Sequence, residues 1–254
     1  MPDLRLIQSD VPKLRRRPGM LAVCAGLTLG ILLLAFTVIT IQHGAHPLKN
    51  DPAGGLAGFN DSLQIVSLMV FLVGAIVGAT AGAQDLDSGV FRDLAATGRS
   101  RTALFLSRVC GAWVVVGTLA VLTIAVDVAG AFLLADGTPT PHAGDVVDAL
   151  AMVLASGAVG AALAVGLAAL VGSRGPVIAI LLAMHLIFEP QLQGAGFLGD
   201  ARQAIPTSAL NRIGDQATEG LDYRVALGTA IAVVLAWVAV ALAAGAWRTR
   251  TREI

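Results

Sequence analysis

The sequence predicts an all-α fold, a polytopic integral membrane protein with six transmembrane helices and both termini cytoplasmic. Three observations carry this. The 254 residues are 56% hydrophobic and only 13% charged, with a mean hydropathy of +0.79, too apolar to be covered by one soluble surface. The apolar residues gather into six runs, each near the roughly 20 residues that a helical span needs. All but Lys49, Arg202, Arg212 and Arg224 of the 17 lysines and arginines fall at alternate connections, which orients the chain by the positive-inside rule.

Residues 1–19 read as a short amphipathic interfacial helix followed by a basic anchor. Leu4, Ile7, Val11 and Leu14 recur at three- or four-residue spacing, Pro12 ends regular helix near Val11, and Lys13, Arg15, Arg16 and Arg17 follow. A loose cytoplasmic tail is the alternative. The basic cluster ahead of an apolar run is like a signal peptide, but the run continues from Met20 to Ile41 without a small-x-small cleavage site. It is taken as a retained first span.

The remaining spans are placed at Ser62 to Ala83, Gly111 to Leu134, Asp148 to Val171, Val177 to Leu198 and Val225 to Trp247. Connections 42–61 and 135–147 are rich in glycine and proline and are expected outside. The segment 84–108 is different. A charge at the centre of a membrane helix costs on the order of 3 kcal/mol, and this segment holds Asp85, Asp87, Arg92, Asp93, Arg99 and Arg101. Ser88 is a candidate N-cap, Val90, Phe91, Leu94 and Ala95 share one side at helical spacing, and Gly98 suits a left-handed C′ position. The expectation is a short amphipathic helix on the cytoplasmic membrane surface. The fifth span is the least regular, since its continuous apolar run stops at Phe188. Beyond it, 189–224 reads as an external or re-entrant segment, with a short helix from Pro206 and Gly214 at its C′.

Most chemistry is excluded by what is missing. Neither Lys13 nor Lys49 follows a glycine, so no Walker A loop is present. A net charge of zero with no basic field excludes nucleic acid as a partner. His43 and His46 lack the third and fourth ligands of a zinc site, and Cys24 and Cys110, without CxxC spacing, read as packing residues. Ser156 and His185 are the one pair that could form an intramembrane serine protease dyad, although Leu154 stands at the first glycine of a GxSG turn. Polar residues inside spans are candidates for a substrate path: Gln64, Ser67, Asp127, His185 and Glu189. Asp127 and Glu189 both fall toward the outer leaflet and could line one cavity, the alternative being that each reaches to the interface.

The segment starting at Asp85 resembles the signature region of permease subunits of type-2 ABC transporters, the exporter class. There an acidic pair, a Gly-Thr, a leucine-rich turn and a Thr-Pro-x-Ser-Arg stretch precede a basic residue before the third span. Asp85 and Asp87, Gly89, Leu94, then Thr97, Ser100 and Arg101, and finally Arg108 match it, while Val90 and Gly98 replace the threonine and the proline. Importers carry a Glu-Ala-Ala loop that Asp93-Leu94-Ala95-Ala96 faintly matches, but no proline follows until Pro139. The resemblance implies a single permease domain over 1–254 that binds no cofactor of its own. It implies a coupling helix, with Asp85, Asp87, Gly89, Phe91, Arg92, Asp93, Arg99 and Arg101 seated on a separate ABC ATP-binding subunit. Two copies of that subunit would bind ATP and Mg, and a second permease, identical or homologous, would complete an exporter working by alternating access. Arginine in preference to lysine and alanine-rich spans point to a GC-rich bacterial source and its cytoplasmic membrane. An intramembrane protease or a non-transporting assembly protein are the other expectations.

Overall fold

The computed structural model describes residues 12, 14, 16–87, 100–215 and 225–251, and at 84–87 the helical backbone alone. No strand occurs among the described residues. Six helices are long and apolar enough to cross a membrane: α1 (Pro18–Ala45), α2 (Gly55–Asp87), α3 (Arg101–Leu133), α4 (Ala143–Val171), α5 (Arg174–Gly194) and α7 (Leu227–Thr251). Between the last two, a 3-10 segment (Gly196–Ala204) leads into the short helix α6 (Pro206–Ile213).

The helices alternate in direction, so their connections sort to two ends. At the glycine and proline end, the Gly54 amide donates to the Leu134 carbonyl at 3.1 Å and His43 Nε2 lies 3.2 Å from Asp136 Oδ2. At the arginine end, Arg101 Nη1 donates to the Arg250 carbonyl at 3.3 Å and Arg250 Nε donates to Thr102 Oγ1 at 2.9 Å. The start of α3 is thereby tied to the end of α7.

Several helices outrun their apolar cores because local caps extend them. Ser100, in extended conformation, accepts from the Ala103 amide at 3.2 Å and starts α3 ten residues before Gly111. The His142 amide donates to Asp145 Oδ2 at 2.7 Å and starts α4. Left-handed Gly172, at φ 82°, ends α4. With 33 residues each, α2 and α3 are about 50 Å long, well beyond a hydrocarbon core of about 30 Å. Asp85 and Asp87 therefore continue α2, and Arg101 to Arg108 belong to α3 rather than to a surface loop.

The core is the seam between α2 and α4. Lipid is as apolar as leucine, so membrane helices are held by close packing and interhelical hydrogen bonds rather than by hydrophobic burial. Gly74, Gly78 and Gly82 lie one turn apart on α2 and let its backbone touch that of α4. A methyl on Gly74 would stand 2.5 Å from the Gly157 carbonyl oxygen, and one on Gly78 at 2.5 Å from that of Ala161. Gly166 of α4 receives α7 in the same way at Ala241. α3 packs against both core helices, α5 lies on α2 and α4, and α1 covers part of α3, with Phe36 over Gly130. Cys24 and Cys110 are free thiols.

Candidate functional site

The fifth span departs from regular helix where the sequence places its polar residues. Pro190 has no amide proton and crowds the carbonyl one turn earlier. The preceding residues Met184–Phe188 widen into a π-turn that absorbs this, and the helix continues to Gly194. The π-turn contains His185, which is buried and stacks on Phe71 of α2, ring centroids 3.8 Å apart and planes 13° from parallel. His185 Nδ1 donates to Glu189 Oε2 at 3.1 Å, one turn on. The same oxygen accepts a short hydrogen bond from Thr207 of α6. Glu189, only 3% exposed, is thus held by donors from two elements.

This knot fixes the segment after α5. Gln193 Nε2 donates to Ser208 Oγ at 3.2 Å, Arg202 Nε donates to the Gly199 carbonyl at 3.0 Å, and Trp237 Nε1 donates to the Ala204 carbonyl at 2.9 Å. Trp237 is ten residues inside α7, about 15 Å from Leu227 by helix rise. The 3-10 segment therefore turns back alongside the spans, and α6 packs against α4 and α7. The expected helix from Pro206 is present, but Gly214 is not left-handed. Its φ is −82° and Asp215 takes the positive φ of 49° instead. Gly214 has a packing role, because Met152 of α4 occupies the space a side chain would need.

The other polar candidates pair within the bundle. Ser67 Oγ donates to Ser156 Oγ at 3.0 Å, and Ser156 Oγ donates to the Ser67 carbonyl at 3.0 Å, across the α2–α4 seam. Asp127 of α3 meets Ser62 of α2, with Oγ 2.7 Å from Oδ1. Gln64 is exposed on α2, beside exposed Asn60 and Asp61. Ser62 and Phe71 are nine residues apart, two and a half turns, and so lie on opposite sides of α2. Asp127 and Glu189 consequently sit on opposite sides of that helix and share no cavity. No hydrogen bond joins Ser156 to His185, whose bonds go to Ser67 and Glu189. Among the described residues no three histidine, cysteine or acidic side chains gather as metal ligands, and His43 is bound to Asn50 and Asp136 instead.

Of the expected coupling residues, Gly89, Phe91, Arg92, Asp93 and Arg99 lie outside the described residues, as do the side chains of Asp85 and Asp87 and most of 1–19. Arg101 is half-buried at the arginine end, and Arg108, matched to the family's later basic residue, is 5% exposed within α3 and is engaged with a partner. Ser62, Phe71 and Thr207 join the site only through the fold. Each is an ordinary packing or capping residue type, and nothing in its local sequence marks a partner. A scan against protein-family models matches none, and a search of curated proteins finds no match.

Proposed function

We propose that this chain is the permease subunit of an ATP-driven exporter similar to type-2 ABC transporters. It works with a second permease and two ATP-binding subunits that carry ATP and Mg, and its arginine end faces the bacterial cytoplasm. The observation that carries the reading is the length of α2 and α3. Each is longer than a bilayer is thick, and at the arginine end they frame residues 88–99 between them. A force on that segment is delivered along α2, a continuous rod, to the α4 seam, to the Phe71–His185 stack and to Ser62. Arg92, Asp93 and Arg99 in 88–99 are charges of the kind that select a soluble partner. Ser67, His185 and Glu189 are engaged inside one chain and Asp127 is fully buried, so a path shared between two chains is met first by exposed Gln64 with Asn60 and Asp61. The protease reading is disfavoured because Ser156 donates to a backbone carbonyl and His185 is committed to Glu189.

The test is mild extraction of the tagged chain from its native membrane. A Walker-motif ATPase is expected to co-purify with the wild type and to be lost in Asp85→Lys combined with Arg92→Glu, with the variant still inserted in the membrane. Absence of any ATPase from the wild-type complex would overturn the reading.

A further inference from the structure

Asp127 is fully buried, six residues from the end of α3 and so about 9 Å by helix rise from Leu133. Its two oxygens have unequal surroundings. Oδ1 lies 2.7 Å from Ser62 Oγ, whereas Oδ2 has no hydrogen-bond partner. The same Ser62 hydroxyl lies 2.9 Å from the Phe59 carbonyl one turn earlier on α2. A hydroxyl has one proton to donate, and neither a carbonyl nor an ionised carboxylate has any. With Asp127 ionised, Ser62 serves one acceptor and leaves the other facing a lone pair. With the proton on Oδ1, both contacts become hydrogen bonds: Asp127 donates to Ser62 Oγ, and Ser62 donates to the Phe59 carbonyl.

Among the described residues, the surroundings bring no counter-charge. On α2, Asp61 and Gln64 are exposed; on α4, Asp145 and Asp148 stand in the first turns at its open end. α1 lies over this part of α3 with Phe36, and Arg248 and Arg250 of α7 belong to the opposite end of the bundle. The neighbouring core is apolar, with Phe59, Leu63, Ile124 and Ala131. Among the described residues, a carboxylate here has one donor and no cation.

We propose that Asp127 and Ser62 form a proton-binding site between α2 and α3, closed while the two helices are packed and emptied when they part. The balance is that of an acid: the Asp127 O–H bond breaks, the electron pair stays on the carboxylate, and the proton passes to water admitted from the glycine and proline end. The site does not depend on the transport reading, since it rests on the hydrogen-bond geometry around Ser62 and on the apolar surroundings. Buried carboxyls in membrane helices are recurrent proton carriers.

The test uses the full chain in lipid vesicles, treated with dicyclohexylcarbodiimide, which reacts with protonated carboxyls in apolar surroundings, and read peptide by peptide by mass spectrometry. Asp127 is expected to be modified, with a rate that falls about tenfold per pH unit above the pH at which the acid ionises. Infrared titration is expected to show an acid carbonyl band that is absent in Asp127→Asn and displaced in Ser62→Ala. The Ser62 variant retains the carboxyl, so its displaced band decides the assignment even if Asp127→Asn fails to assemble. Three results would overturn the proposal: an unreactive Asp127 with no such band, a modification rate independent of pH, or protection by sodium but not potassium, which would make this a cation site.

Discussion

Ser67 and Ser156 show how a polar residue inside a membrane helix is retained. Each hydroxyl is satisfied across the α2–α4 seam, and Ser156 is fully buried. Interhelical hydrogen bonds of this kind are worth about 1 kcal/mol, since the unfolded chain in lipid finds other partners. Ser156→Ala is expected to lower stability by about that amount, and adding Ser67→Ala should cost less than the sum of the two single changes. Unfolding in mixed micelles measures both, and a fluorophosphonate serine probe should leave the folded wild type unlabelled at Ser156. Sequence alone singles out both serines as polar groups in spans. It does not reveal that each is the other's partner.

At the scale of elements, two contacts set the geometry. Gly78 is where the α2 backbone meets α4, so Gly78→Leu would drive a side chain into the Ala161 carbonyl. The expected cost is about 3 kcal/mol, the upper range for overpacking, seen as a large drop in yield of monodisperse protein in detergent, while Gly144→Ala, with open space around it, lowers yield far less. Thr207 is the second contact, pinning α6 to α5 through Glu189. Thr207→Val keeps the volume and removes the donor, so hydrogen exchange should rise across 196–213 and stay unchanged in the α2–α4 seam. The four-residue spacing of Gly74, Gly78 and Gly82 is visible in the sequence, as is the weakness of the fifth span at Glu189-Pro190. Which helix the glycines would face, and that the proline is absorbed by a π-turn that aims His185 at Phe71, depend on the assembled bundle.

For the whole molecule, the alternation of basic and glycine-rich connections predicts an orientation that labelling can test. In a chain with Cys24 and Cys110 changed to alanine, Lys49→Cys is expected to react with an impermeant maleimide added to intact cells. Arg248→Cys should react only after permeabilisation. Both positions are exposed. Labelling in the reverse pattern would place the 84–108 connection outside the cell and remove any contact with a cytoplasmic ATPase. The bundle itself is uneven: α2 and α4 are largely enclosed, whereas α7 presents most of its surface outward. Enclosure follows from small residues on the central pair, not from hydropathy, which is nearly equal among α1, α2, α3 and α7.

What the sequence determined by itself is the set of spans. A bilayer obliges each crossing segment to satisfy its backbone within its own helix, so apolar length is enough to find it. Met20 to Ile41 and the five later runs all lie within or overlap the observed helices. The helix ends extended further than hydropathy alone implies, because caps at Ser100 and His142 act on polar residues outside the apolar runs. Only the tertiary structure decided the partnerships: Ser62 with Asp127, Ser67 with Ser156, and Phe71 and Thr207 with His185 and Glu189. The reason is physical. A hydrogen bond between helices needs two side chains at one depth on facing sides, and that depends on how far each helix is rotated and shifted against its neighbour. Nothing local to either residue encodes it.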